Sequence, residues 1–67
     1  MPEKYYKITL EAARVNAHLT QNEAAEKLGV SRSTIQSWES GRTAPSVLQA
    51  NRISEIYGWP KDAIFFA

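Results

Sequence analysis

The chain has 67 residues, no cysteine, a hydrophobic fraction of 43% and a formal net charge of +1 at pH 7. A chain this short forms one small domain, and the absence of cysteine excludes disulfides and thiolate-bound metals as sources of stability. Three Gly and three Pro favour a packed fold over disorder, whereas the charge indicates a nucleic-acid binder only if the basic residues are clustered.

Residues 1–8 are predicted to be a short irregular lead-in. Lys4 and Lys7 could reach phosphates from it, and Tyr5 and Tyr6 could stack or cover the core. The segment lacks the apolar core of a secretory signal, and no apolar run of the chain is long enough to span a membrane. We therefore expect an intracellular protein with no membrane contact.

The first predicted helix begins after Thr9, a good N-cap, and ends within residues 16–18. Its inward face carries three apolar residues at helical spacing: Leu10, Ala13 and Ala17. Arg14 lies beside this face. His18 is the only histidine, and we interpret it as a solvated residue at a helix C-terminus because no second metal ligand is evident. No metal site is predicted.

Two further predicted helices, residues 21–28 and 32–40, meet around Gly29. The stretch Thr20–Glu23 has the capping-box pattern, and Ser31 is a good N-cap for the second helix. One apolar stripe joins the two helices: Ala24, Ala25, Leu28, Val30, Ile35 and Trp38. Two short helices joined by a tight glycine turn are typical of a helix-turn-helix, here residues 20–40.

Ser46 is the predicted cap of a fourth helix, residues 47–57. Its inward candidates are Val47, Ala50, Ile53, Ile56 and Tyr57. Pro60 can occupy the first position of a last short helix, residues 61–65. No stretch alternates in the manner of a strand, so the sequence predicts an all-α fold: a compact bundle of five short helices in one domain of residues 1–67.

An ordered set of motifs runs through most of the chain: Leu19-Thr20-Gln21, Glu23-Ala24-Ala25, Leu28-Gly29-Val30-Ser31, Ile35, Trp38-Glu39, Gly41-Arg42, Pro45, Ile53, Tyr57-Gly58 and Ile64-Phe65. With these motifs, residues 9–65 resemble the Cro/phage-repressor family of helix-turn-helix DNA-binding domains, also called the XRE-like or lambda-repressor-like group. The resemblance implies a transcriptional regulator that binds a double-stranded DNA operator without a cofactor. A Cro- or repressor-type protein of a phage, prophage or mobile element is the expected kind.

In this family the N-terminal part of the motif's second helix enters the major groove. The resemblance therefore implies base reading by the outward residues of that helix: Arg32, Ser33, Gln36 and Ser37. Arg32 is the preferred candidate because its fork matches the two acceptors of guanine; outside this motif it would be interpreted as a solvated surface arginine. Gln36 can pair with adenine, although in relatives this position often faces the DNA backbone.

The resemblance also implies phosphate contacts at the two ends of the motif, which position the protein without reading sequence. The matching residues are Thr20, Gln21, Ser31, Ser40, Arg42 and Thr43. For the loop that follows the recognition helix, a merely polar loop is the alternative. Arg14 and Glu39 match positions that pair in many relatives, and we expect a partly buried ion pair that sets the angle of the recognition helix.

Apolar residues cluster near the C-terminus: Trp59, Ile64, Phe65 and Phe66. They are candidates for a homodimer interface, which would set two recognition helices about 34 Å apart. Closure of the monomer core is the alternative reading for Trp59 and Phe65, and Phe66 is expected to be the more exposed residue.

Two classes of function follow from these patterns. The leading one is a DNA-binding regulator located with the nucleoid in the cytoplasm. The alternative is an antitoxin-like or other protein-interaction module that retains the helix-turn-helix fold. We do not expect an enzyme, because the sequence shows no clustered acid–base pair, no nucleophile with a neighbouring histidine and no Gly-rich phosphate loop.

Overall fold

The computed structural model describes residues 7–66. These residues form four α-helices, a 3₁₀ turn and two short strands: β1 Ile8–Thr9, α1 Leu10–Asn16, α2 Gln21–Leu28, α3 Arg32–Ser40, α4 Val47–Tyr57, the 3₁₀ turn Lys61–Ala63 and β2 Ile64–Phe65. The four main helices predicted from the sequence are confirmed. None of the described helices is long and apolar enough to cross a membrane.

Every α-helix begins at a hydroxyl cap, as the sequence predicts. The four caps are Thr9, Thr20, Ser31 and Ser46. Each side-chain oxygen accepts a hydrogen bond from the backbone N–H three residues later, at 3.0 to 3.2 Å. The Glu23 carboxylate completes a capping box by accepting the Thr20 N–H at 2.9 Å, and this bond holds the pKa of Glu23 below its ordinary value. One N–H group in the first turn of each helix is thereby satisfied by the cap side chain.

Helix α1 ends without the glycine that ends the other three helices. His18 follows the last turn with φ +61°, whereas the glycines at the other ends have φ between +69° and +81°. A residue with a Cβ is strained in this left-handed region by roughly 1–2 kcal/mol, and glycine is not. The backbone at His18 is therefore strained, and a glycine at this position would relieve the strain.

We expect His18→Gly to raise the free energy of unfolding by about 0.5–1 kcal/mol. The gain from relieved strain is partly offset by the greater freedom of glycine in the unfolded chain. Urea denaturation monitored by circular dichroism would measure the change. His18→Ala is the matched control and should give no gain, because alanine keeps the Cβ; equal stabilisation by both variants would contradict the strain.

The core lies where α1, α2, α3 and α4 meet. Its buried members come from all four helices and β2: Leu10, Ala13, Ala24, Ala25, Ile35, Trp38, Ile53, Tyr57 and Ile64. The buried residues of α2 are the small Ala24 and Ala25. The prediction that Val47 faces inward is wrong, because this residue is 74% exposed. The buried stripe of α4 begins only at Ala50, one turn into the helix.

The predicted fifth helix is also wrong. Only Lys61–Ala63 forms a 3₁₀ turn, and the chain then extends as β2 and pairs in parallel with β1, Ile8 opposite Ile64 and Thr9 opposite Phe65. Ile and Thr favour extended backbone, but a strand of two residues is too short to show alternation in the sequence. The same pairing makes Ile8 part of a strand rather than of an irregular lead-in. The predictions for Lys4, Tyr5 and Tyr6 lie outside the described residues.

The strand reverses one prediction about the C-terminal aromatic residues. Successive side chains of a strand point to opposite faces. Ile64 is accordingly buried, Phe65 is 53% exposed and Phe66 packs partly against the core. Phe65, and not Phe66, is therefore the exposed residue, and its ring lies 5.0 Å from the Lys7 ammonium.

Candidate nucleic-acid interface

Helix α3 presents a polar face to solvent because its opposite face is anchored in the core. Ile35 and Trp38 retain only 1% and 4% of their surface. On the outer side, Arg32, Ser33 and Gln36 are exposed, whereas Ser37 is half-buried. Three of the four residues predicted to read bases are thus exposed, and the fourth is half-buried.

Gln21 connects the start of α2 to the polar face of α3. Its side-chain Nε2 donates to Glu39 Oε1 at 3.0 Å. Its Oε1 accepts from Arg32 Nε at 3.4 Å and from Gln36 Nε2 at 3.5 Å. The family resemblance implies only a phosphate contact for Gln21. The bridge leaves no local pattern in the sequence, because its partners lie 11 to 18 positions away.

The Arg14 and Glu39 side chains are in contact, as predicted. Arg14 Nε lies 2.6 Å from Glu39 Oε2, and the two side chains are only 9% and 6% exposed. A second bond joins Arg14 Nη2 to Glu39 Oε1 at 3.4 Å, and Arg14 Nη1 donates to the Leu19 carbonyl at 2.8 Å. Arg14 therefore links α1 to α3 and to the residue that precedes the α2 cap. The hydrogen bond to Glu39 raises the pKa of the Arg14 guanidinium.

The charges of both Arg14 and Glu39 act on the pKa of the nearby Tyr57. Burial, followed by the negative charge of Glu39, raises the pKa of Tyr57 to about 12. The phenol is therefore neutral at physiological pH. The pair therefore packs beside a buried, uncharged phenol, and its side chains are largely removed from water.

The loop after α3 has a backbone held by hydrogen bonds. Gly41 has φ +81°, and the Ser37 carbonyl accepts the N–H groups of Arg42 and Thr43 at 2.9 and 3.4 Å. Ser40 Oγ donates to the same carbonyl at 3.2 Å. The Arg42 side chain projects from this fixed backbone and is exposed. Thr20 and Ser31, by contrast, use their hydroxyls as helix caps.

A hollow of about 350 Å³ brings the two ends of this face together. Its lining residues are Glu11, Gln21, Gln36, Glu39, Ser40 and Arg42. The structure thus assembles residues from the start of α2, the middle of α3 and the following loop on one surface. Among the described residues, neither Arg32 nor Arg42 forms an ion pair within 4 Å, so both guanidinium groups are available to an anionic partner.

Comparison with known proteins agrees with this geometry. A helix-turn-helix family model matches residues 10–63. The chain is 50% identical over 40 residues to a protein of Methanothermobacter thermautotrophicus described as an uncharacterised HTH-type transcriptional regulator, a match that covers 60% of this chain and 58% of the relative. It is 41% identical over 62 residues to a Methanocaldococcus jannaschii protein of the same description, covering 92% of this chain and 83% of that relative. No solved structure matches.

Proposed function

The chain belongs to the XRE-type helix-turn-helix family, and we propose that it is a sequence-specific regulator of transcription that binds double-stranded DNA. The observation that carries the proposal is the exposed polar face of α3. Ile35 and Trp38 anchor the opposite face of this helix in the core. A major groove about 12 Å wide admits such a helix. The family relationship agrees with this use of the face.

We propose that base reading depends chiefly on Arg32 and Gln36. Arg32 is the first residue of α3, and Gln21 occupies only its Nε edge. The two terminal nitrogens therefore remain for the O6 and N7 acceptors of guanine. Gln36 is one turn further along the exposed face. Ser33 and Ser37 have short side chains, so their contribution should be weaker or mediated by water.

Phosphate contacts are proposed at both ends of the motif. At the start of α2, the capping box occupies the N–H groups of Thr20 and Glu23, so the N–H groups of Gln21 and Asn22 can face a phosphate. At the other end, Ser40, Arg42 and Thr43 lie on the ordered loop. Contacts of this kind position α3 in the groove and carry no sequence information.

Selection of bound duplexes from a random pool tests the proposal directly. A sequence-specific regulator should enrich one motif, and its symmetry would report the half-site arrangement. Enrichment of no motif at any salt concentration would instead favour the protein-interaction module. A phage or prophage source and a repressor-type action stay predictions of the sequence resemblance.

We expect Arg42→Ala to weaken binding to all duplexes alike. Loss of one phosphate contact should reduce the slope of log K against log salt concentration by about 0.9 while leaving the preferred motif unchanged. Fluorescence anisotropy over a salt series would measure both. Arg52→Ala is the matched control, because Arg52 is an exposed arginine on α4 that does not line the hollow on the α3 face. A change of preferred sequence in Arg42→Ala would assign that residue to base reading.

We also propose that the protein dimerises through a surface centred on Phe65. Of the four C-terminal candidates, Ile64 is buried, Trp59 and Phe66 pack partly on the core, and Phe65 is exposed. Phe65→Ser should therefore shift the protein towards monomer in equilibrium sedimentation at micromolar concentration. Val15→Ser, at another exposed apolar residue, should not. A wild-type monomer that binds a lone half-site would count against the dimer.

A further inference from the structure

A second hollow, which we call the α1–α2–α4 groove, lies near the C-terminal ends of α1 and α2. Its volume is about 440 Å³, and it is lined by Ala17, Leu19, Lys27, Arg52 and Ile56. No residue of α3 contributes to it. The volume is within the range of roughly 300–1,000 Å³ that is typical of ligand sites.

The floor of the groove is apolar. Ala17, Leu19 and Ile56 are each half-buried and pack against the core, and the groove lies over the surface that they leave accessible. Accessible apolar surface beside the core is removed from water when an apolar side chain covers it, which favours binding. The floor therefore has the character expected beneath an apolar side chain of a partner.

Two cations form the rim. Arg52 Nη2 donates to the Lys27 carbonyl at 3.3 Å, which holds the guanidinium across the gap between α4 and α2. Among the described residues, neither Lys27 nor Arg52 has a carboxylate within 4 Å. Arg52 retains further N–H donors, and the Lys27 ammonium is exposed.

The acids nearest in sequence form no ion pair with this rim within 4 Å, although the Lys27 charge contributes to the lowered pKa of Glu23. Glu23, one turn before Lys27, is hydrogen-bonded to Thr20 in the capping box. Glu26 and Glu55 are exposed neighbours that do not line the groove. All the charged side chains that line the hollow are therefore positive, in a chain whose net charge is only +1.

The groove is also separate from the proposed DNA surface. Lys27 follows Gln21 by six residues on α2, a rise of about 9 Å along the helix. Leu19 lies just before the α2 cap, but no residue that lines the groove also lines the hollow on the α3 face. It should therefore stay open while α3 occupies the major groove. This accessibility on DNA rests on the proposed function, whereas the groove itself does not.

We infer that the α1–α2–α4 groove binds an acidic segment of a protein partner. A large apolar side chain of the segment contacts Ala17, Leu19 and Ile56, and its carboxylates contact Lys27 and Arg52. Charge-assisted hydrogen bonds from a guanidinium to a carboxylate are strong and directional. A DNA backbone would use the cations but not the apolar floor, so the combination favours an acidic and apolar peptide.

The inference can be tested with the full chain labelled with ¹⁵N. The probe is a short acidic peptide in which Leu alternates with pairs of Asp and Glu, and the matched peptide has Asn and Gln in place of the acids. A peptide concentration of about 1 mM half-saturates a site whose Kd is about 1 mM. At this concentration we expect chemical-shift changes at Ala17, Leu19 and Lys27. The amides of Arg32 and Gln36 should be unaffected.

Charge reversal of the rim supplies the second arm. Lys27→Glu combined with Arg52→Glu should remove the shifts, and Lys61→Glu, at an exposed lysine outside the groove, should retain them. The inference is overturned if no shifts occur, if they map elsewhere, if the Asn/Gln peptide binds equally or if the reversed variant still binds. The same shifts with hexanoate alone would assign the groove to small organic acids instead. If the wild-type chain failed to bind DNA, that result would contradict only the proposed function and not the binding of the acidic segment.

Discussion

Replacing Glu39 by Ala should lower the free energy of unfolding by roughly 3–5 kcal/mol, because the substitution leaves the buried guanidinium of Arg14 without its counter-charge. Arg14 would keep its bond to the Leu19 carbonyl at 2.8 Å and a distant contact with Glu11 at 3.9 Å. These remaining partners favour the lower end of the range. Native domains are stable by only about 5–15 kcal/mol, so the loss would be large.

Urea denaturation at neutral pH would measure this loss. Glu11→Ala is the matched control, because Glu11 also faces Arg14 but is mostly exposed, and exposed pairs contribute about 0–1 kcal/mol. A double variant, Arg14→Leu with Glu39→Leu, should lose less than Glu39→Ala, since it leaves no unpaired buried charge. Unchanged stability of Glu39→Ala would rule out the structural role of the pair.

Glu39→Ala should also weaken DNA binding, because Glu39 is bonded to Gln21 on the proposed DNA-binding surface. Glu39 Oε1 accepts the Gln21 amide at 3.0 Å, and this bond leaves Gln21 Oε1 directed towards Arg32 and Gln36. Without Glu39, Gln21 is no longer held in this orientation, and its bonds to Arg32 and Gln36, the two side chains proposed to read bases, weaken. Glu39→Gln keeps a hydrogen-bond acceptor at this position, so it should retain more DNA affinity than Glu39→Ala when both are assayed well below their melting temperatures.

Arg32→Ala should weaken binding to the selected duplex by roughly 1–3 kcal/mol and relax the preference at one base pair. The guanidinium is exposed at the first turn of α3, so the substitution should leave stability within about 0.5 kcal/mol of wild type. Anisotropy titrations at one salt concentration, with the selected duplex and a random one, would measure the two effects separately.

Two comparisons make this result interpretable. Ser33→Ala, at the next exposed position of α3, should cost less than Arg32→Ala, because a serine hydroxyl offers no fork for guanine. Repeating the random selection with Arg32→Ala should return the same motif with one degenerate position. Equal losses on selected and random duplexes would remove Arg32 from base reading and assign it to the phosphate backbone.

The sequence by itself determined the local features of this protein. Each helix start depends on a Ser or Thr and the residues within one turn of it, as at Thr20 with Glu23. Three of the four helix ends depend on a single glycine. Such signals act over three or four positions and can be read directly from the sequence. The Arg14–Glu39 contact could be predicted for a different reason, namely the resemblance to a family in which these positions pair.

Only the tertiary structure decided what depends on residues distant in sequence. The pairing of Ile8 with Ile64 replaced the end of a predicted helix by a strand and exposed Phe65 in place of Phe66. The bridge from Gln21 to Glu39 and Arg32, and the groove between Lys27 and Arg52, join elements that no local pattern connects. Packing brings these side chains within hydrogen-bond distance, and neither periodicity nor capping encodes that proximity.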